Sequence, residues 1–280
     1  MKIGCVDVGG GLRDIYGAGV FDRMLDENIG LDFCIGVSAG SANCASFVAK
    51  QRGRNKKFYL DYLSRKEAIG LKNYIKTGSV LNLEYIYGTL CASNGENPLD
   101  YKAIIESETA FTVVATNAKT GKPVYFDKHN DMSFNDYRIL MASSCLPVFC
   151  KPIRIKENLY YDGGLSDPVP FEKAFEYGCD KVIIILTKPI NEKLNQNRND
   201  LGAFTLRRKF PEFSNSMKSS ASVYDRQVKS ALELQKQGRA LVLAPDSIDG
   251  LGTLSHDINK LTSLYNKGYK DAEKVKLFLK

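Results

Sequence analysis

Leu31-Asp32-Phe33-Cys34-Ile35-Gly36-Val37-Ser38-Ala39-Gly40 is the stretch that decides the fold. The apolar run Leu31 to Ile35 has the length of a buried strand. It flows directly into Gly36-Val37-Ser38-Ala39-Gly40, a Gly-x-Ser-x-Gly pattern placed where a strand turns sharply into a helix. Gly36 and Gly40 remove the Cβ atoms that would clash where strand and helix nearly touch. Ser38 then sits at the apex of the turn, with its hydroxyl pushed out of the sheet. The helix expected from about Ala39 to Gln51 points its N-terminal N–H groups and positive dipole end at that hydroxyl.

Working outward, residues 2–8 read as a first buried strand and are followed by Gly9-Gly10-Gly11. A helix is expected from about Gly17 to Asn28, with Val20, Met24 and Leu25 on one face. Strand, helix, strand and elbow in this order predict an α/β layout with a largely parallel sheet. Residues 50–100 lack strand character and read as short helices and loops over the core. Phe111 to Ala115 and Val124 to Phe126 are β-rich runs joined by the hairpin signal Asn117-Ala118-Lys119-Thr120-Gly121. Ser133-Phe134-Asn135-Asp136 reads as a capping box opening a helix to Ser144, which Pro147 ends. Lys151 to Ile155 and Leu159 to Tyr161 read as strands leading into Asp162-Gly163-Gly164, and Lys181 to Thr187 as a central strand. Residues 188–221 are polar, and the expectation there is an irregular, mobile segment. A helix from Ser222 to Gly238, a strand from Ala240 to Ala244 and a helical tail from Ser255 to Lys280 complete a single domain, with its core at about 1–187.

At 280 residues with 44% hydrophobic and 25% charged content, the chain has the composition of an ordinary globular protein. It holds no run of about 20 apolar residues and opens on no signal peptide. Its seven cysteines, an odd number, predict free thiols in a reducing cytoplasm. With only His129 and His256 present, a histidine-rich metal site is excluded, and no metal or cofactor is expected. A net charge of +7 favours acidic partners. The stretch Lys50 to Lys76 holds nine Lys or Arg against Asp61 and Glu67, interleaved with Phe58, Tyr59, Tyr62 and Tyr74. It reads either as a surface for anionic lipid head groups or as solvated helices whose rings pack on the core. Arg207-Arg208-Lys209 is ambiguous in the same way. No nucleic-acid motif accompanies the charge.

A reactive serine needs a base and an oxyanion hole. The order Ser38, Asp162, His256 matches that of an α/β-hydrolase triad, although the elbow arrives after only two expected strands. Asp162 alone is the other candidate base, starting a tight Asp-Gly-Gly turn. Gly9-Gly10-Gly11-Leu12-Arg13 leaves bare backbone N–H groups for an oxyanion, with Arg13 suited to a phosphate or carboxylate. A dinucleotide loop of the Gly-x-Gly-x-x-Gly kind fails because its last position is Asp14.

Gly9-Gly10-Gly11-Leu12-Arg13, Gly36-Val37-Ser38-Ala39-Gly40 and Asp162-Gly163-Gly164 together resemble the patatin-like phospholipase family. The likeness extends through Ala142-Ser143-Ser144-Cys145-Leu146-Pro147 and Asp167-Pro168-Val169-Pro170. Gly70-Leu71 to Asn82-Leu83 and Leu264-Tyr265 to Asp271 look like its uncharacterised bacterial branch. The resemblance implies a three-layer α/β/α fold with a mostly parallel central sheet. It also implies a phospholipase A-like acyl hydrolase without cofactor, acting on a lipid or other acyl ester through an acyl-enzyme. By the same resemblance Ser38 is the nucleophile, Asp162 its base and Gly10, Gly11 and Leu12 the oxyanion hole, with Arg13 near the head group. Asp14 departs from the family, which has glycine there.

Overall fold

The computed structural model describes residues 1–193 and 196–280. Its centre is an eight-stranded sheet with the hydrogen-bonded path β5-β6-β3-β2-β1-β7-β8 and β4 paired to β3. The strands are β1 (Ile3–Asp7), β2 (Phe33–Val37), β3 (Ala110–Asn117), β4 (Pro123–Asp127), β5 (Ile153–Ile155), β6 (Asn158–Asp162), β7 (Lys181–Ile185) and β8 (Ala240–Leu243). β3, β2, β1, β7 and β8 are mutually parallel, and β4, β5 and β6 form antiparallel pairs.

The near-continuous apolar runs of the parallel strands follow from burial on both faces. Along β7, Ile183 and Ile185 join one core while Val182, Ile184 and Leu186 join the other, the period-two alternation of a strand. On the first face lie α1 (Ile15–Asp26), α2 (Ala39–Val48) and α11 (Ile258–Asp271); on the second lie α8 (Phe171–Glu176) and the C-terminal half of α10 (Pro211–Lys236), whose Phe213 and Met217 join the first core. The result is the three-layer α/β/α arrangement expected from the sequence.

Residues 50–100 form short elements over the first face. They include α3 (Arg54–Lys57), α4 (Leu71–Thr77) and two wide π-helical turns, Phe58–Tyr62 and Glu84–Thr89. α5 (Tyr101–Glu106) leads into β3, α6 (Lys128–Asp131) follows β4, and α7 (Arg138–Ser143) precedes β5. The C-terminal part is bound to the first helix rather than trailing from it. Tyr16 Oη donates to Asp271 at 2.8 Å, and Tyr265 Oη to Asp22 at 2.7 Å. α12 (Glu273–Phe278) closes the chain.

Two expectations are corrected. The helix expected from Ser133 is α7, beginning at Arg138, because Ser133 and Asp136 pair as a small β-bridge and Asp136 accepts the Arg138 N–H at 3.1 Å. The polar stretch 188–221 is largely helical, with α9 (Asn197–Leu206) followed by the 26-residue α10, while its Leu194 and Asn195 lie outside the described residues. α10 forms because Phe213, Met217, Ser220, Tyr224, Val228 and Ala231 recur every three or four residues and are all buried.

Candidate active site

Ser38 occupies the elbow with φ 55 and ψ −131, a conformation that costs a non-glycine residue about 1–3 kcal/mol. The surroundings force it. A Cβ on Gly36 would stand 2.4 Å from Ser41 Cα, and one on Gly40 2.4 Å from the Asp7 carbonyl, so strand and helix meet as the two glycines require. The Ser38 N–H donates to Ser143 Oγ at 2.8 Å, and its carbonyl accepts the Ser41 N–H at 3.0 Å and the Ser41 hydroxyl at 2.6 Å. Ser143 and Ser41 are therefore braces of the elbow.

The sheet register brings Asp162 to the same point. β2 runs parallel to β3 and ends with Val37 opposite Val114, whereas β6 runs antiparallel to β3 and ends with Asp162 opposite Ala115. Residues 115 and 116 pair with β4 as well as β6, and residues 112 to 114 with β4 as well as β2. β2 and β6 thus share the edge of β3 that β4 does not use. They approach each other head-on, and their C-terminal ends abut.

Asp162 is 4% exposed. Its Oδ1 accepts the Gly164 N–H at 2.8 Å, its own N–H donates to the Cys145 carbonyl at 2.9 Å, and its carbonyl accepts the Thr116 hydroxyl at 2.7 Å. A Cβ on Gly163 would lie 2.3 Å from the Val114 carbonyl, so the turn packs directly on β3. Burial pushes the Asp162 pKa up to about 6, against the lowering effects of the Ser38 hydroxyl and the Gly164 N–H. Oδ2 has no hydrogen-bond partner of regular geometry among the described residues. Ser38 is near enough to lower the pKa of the carboxyl group.

Gly9, Gly10 and Gly11 take φ values of 69, 152 and 63, which only glycine adopts freely. The Gly9 N–H turns back to Asp7 Oδ1 at 3.4 Å, and no partner for the N–H of Gly10 or Gly11 is found among the described residues. Leu12 is a correction: its N–H is committed to the Thr253 carbonyl at 2.9 Å and offers nothing to an oxyanion. Asp14 is fully buried and turned away from the cleft towards Asp7, so the departure from glycine places no anion beside a ligand.

Ser38 stands between two spaces. One is an apolar chamber with about 460 Å³ of empty volume, walled by Phe58, Tyr59, Leu63, Leu83, Ile86 and Tyr87 among others. The other is a channel of mixed lining that also reaches Asp162, Gly10, Gly11, Arg13, Lys188 and Tyr224. Leu146 belongs to both. Arg13 lies in the channel, its Nε donating to the Gly10 carbonyl at 3.4 Å. Lys188 was not among the expected site residues. It is 3% exposed, its Nζ donates to the Glu192 carbonyl and lies 4.7 Å from the centre of the Tyr224 ring, and it makes no ion pair among the described residues. Burial lowers its pKa to about 8. A lysine directly after a buried strand is the one signal the sequence carried.

His129 is exposed, and His256 lines neither space. The basic stretch divides. Phe58, Tyr59 and Tyr62 are core residues and Arg54 is buried on the Pro98 and Asn97 carbonyls, whereas Tyr74 of α4 is exposed.

The model of the patatin-like phospholipase family matches residues 8–175, and that of a domain of unknown function, DUF6363, matches residues 210–276. A glycine loop, serine elbow and Asp-Gly-Gly turn carried on a mostly parallel sheet are thereby placed in a family. The chain belongs to the patatin-like phospholipases, a family of lipid acyl hydrolases. It is 28% identical over 193 residues to the uncharacterized protein YjjU of Escherichia coli K12, covering 67% of this chain and 52% of that protein. The chain thus spans about half the length of that curated relative. Among solved structures it resembles VipD from Legionella pneumophila, with a TM-score of 0.54 and 13% identity over 98% of this chain and 66% of that one, a likeness of fold. The second matched segment shares the sheet with the first, since β8 pairs with β7, β7 with β1 and β1 with β2. Among the described residues no helix is long and apolar enough to cross a membrane.

Proposed function

We propose that this chain is a serine hydrolase of lipid acyl esters that uses Ser38 and Asp162 as a dyad. The observation that carries the reading is the head-on meeting of β2 and β6, which presents a strained serine and a buried carboxylate to one cleft. Asp162 takes the hydroxyl proton as Ser38 Oγ attacks the ester carbonyl. The Gly10 and Gly11 N–H groups receive the oxyanion. Collapse of the tetrahedral intermediate breaks the ester bond, and Asp162 returns the proton to the departing alcohol. Water then attacks the acyl-enzyme and gives its proton to Asp162, and Ser38 leaves reprotonated. The acyl chain lies in the apolar chamber, and the alcohol portion lies in the channel with Arg13 and Lys188.

The same reading places the protein against an anionic membrane surface. α4 exposes Leu71 (78%) and Ile75 (83%), followed directly by Lys72 and Lys76, and Ile69 and Leu81 at its base line the apolar chamber. α9 exposes Leu201 and Phe204 and is followed by Arg207-Arg208-Lys209. Apolar side chains set among basic ones suit insertion at an anionic interface.

Labelling with a fluorophosphonate followed by peptide mass spectrometry tests the dyad. The expected result is a single adduct on Ser38 that is lost in Asp162→Asn, together with turnover of p-nitrophenyl esters. An unlabelled Ser38 would leave a lipid-binding protein of the same fold.

A further inference from the structure

Outside the reacting pair, a dense cluster of buried polar groups lies beneath the glycine loop. Asp7 ends β1, Asp14 ends the short 3-10 turn Gly11–Asp14, and both are fully buried. Their carboxyl groups face each other across Gly17. Asp7 Oδ2 and Asp14 Oδ1 each stand 2.6 Å from where a Cβ on Gly17 would project, so the two oxygens flank one point that only glycine leaves free. Asn43 of α2 donates to Asp7 Oδ2 at 3.1 Å and to the Asp14 carbonyl at 2.8 Å. Asp7 Oδ1 faces the Gly9 N–H. Neither carboxyl oxygen of Asp14 finds a donor among the described residues. Two ionised carboxylates in contact away from water repel strongly, and one proton between them removes the repulsion while supplying the missing donor.

We propose that Asp14 is a neutral carboxylic acid donating its proton to Asp7, and that this acid–carboxylate pair is the positioning latch of the Gly9 to Gly11 loop. The pair joins the residue that enters the loop to the residue that leaves it. Asn43 ties both to the helix that follows Ser38, so the glycine loop and the serine of the proposed dyad are held from one point. The proposal rests on the hydrolase reading for the loop's role, but not for the existence of the pair.

Burial and Asp7 both push Asp14 well above the usual carboxylate range, with Arg13 and Asn43 opposing. Cys5 on β1, Arg13 on the shared turn, Asn43 and Cys44 on α2, and Tyr59 and Tyr87 on the π-helical turns face the pair. Burial raises the pKa of Cys5, Cys44, Tyr59 and Tyr87, which keeps them neutral and leaves Arg13 as the one charged neighbour among them. Loss of the shared proton at alkaline pH puts two negative charges side by side and loosens the loop.

The test uses the full chain, its Asp14→Asn and Asp14→Ala variants, carboxyl ¹³C NMR and p-nitrophenyl butyrate kinetics across pH. An aspartate resonance at the protonated position is expected at neutral pH, present in the wild type and missing from Asp14→Asn. The amide of Asp14→Asn still donates to Asp7, so this variant keeps kcat within about 3-fold and loses the alkaline decline. Asp14→Ala lowers kcat roughly 10-fold or more with KM within about 2-fold, on the scale of a displaced oxyanion donor. Should Asp14→Ala fail to fold, the resonance and the pH profile of Asp14→Asn decide. The proposal is overturned by the absence of a protonated aspartate at neutral pH, by an Asp14→Ala variant with wild-type kcat and pH profile, or by an Asp14→Asn variant that keeps the alkaline decline. A wild type without turnover or Ser38 labelling overturns the hydrolase reading and the latch role with it, while the resonance still decides whether the acid pair exists.

Discussion

The chamber on one side of Ser38 is walled almost wholly by carbon, whereas the channel on the other adds glycine backbone, an arginine and a buried lysine to apolar side chains such as Leu165 and Pro168. Both open on the same hydroxyl. Apolar chain gains about 0.8 kcal/mol per methylene on leaving water, so it belongs in the chamber. A charged group is tolerated only where charge and hydrogen bonds meet it, which describes the channel. On the proposed function, this contrast orients an ester with its acyl chain one way and its alcohol portion the other.

The largest test removes what the two sides share. Ser38→Ala is expected to lower ester turnover by about 10³-fold or more whatever the substrate, and Asp162→Asn by roughly 10²- to 10⁴-fold, measured as kcat/KM. An ester class that escaped both losses would break the idea of a common centre. Because a base acts only when ionised, the proposed dyad predicts that kcat/KM rises with pH up to about 6, the pKa to which burial lifts Asp162, and stays level from there until the alkaline decline expected of the Asp14 pair.

The same shift has a stability consequence. A carboxyl raised in the folded state contributes stability that is fully present below its unfolded pKa of about 3.9 and is lost as pH rises through about 6. Asp162→Asn should therefore be more stable than wild type at neutral pH, by up to about 3 kcal/mol, in urea unfolding. Equal stability at neutral pH would show the carboxylate to be better solvated than its burial implies.

Next in size is the channel alone. Lys188→Met is expected to lower kcat/KM roughly 10-fold for acyl esters bearing a phosphate, the scale of one charge-assisted hydrogen bond, and to leave neutral esters unchanged. With burial lowering Lys188 to about 8, the wild-type preference for the anionic ester should fade above that pH. The smallest effect belongs to the chamber. Ile86→Phe should shift the preferred p-nitrophenyl ester to a shorter chain, each excluded methylene changing kcat/KM by about 4-fold. A uniform loss across chain lengths would mean that the acyl group lies elsewhere.

Much of this was legible in the sequence because it is local. Gly36 and Gly40 bracket a serine whose backbone needs them, and an apolar run sits directly before the elbow. Asp162-Gly163-Gly164 reads as a tight turn carrying a candidate base for Ser38, and the family resemblance adds the dyad without histidine. What remained hidden depends on distant pairing. The Leu12 N–H is occupied by Thr253, and the Ser38 N–H by Ser143, contacts that no local pattern encodes. Asp14 reads as a stray anion until Asp7 and Gly17 are seen around it. The polar character of 188–221 points to a helix only from Ser222, although the spacing of Phe213, Met217 and Ser220 carries the helical period of α10.

β3 has one more consequence, as a ruler. Ser38 and Asp162 never belong to one strand or one turn; the gap between them is measured off by the single step from Val114 to Ala115. Everything threaded between them can lengthen or shrink without altering that gap, whereas one residue inserted into β3 at this step would move the carboxylate by a full notch.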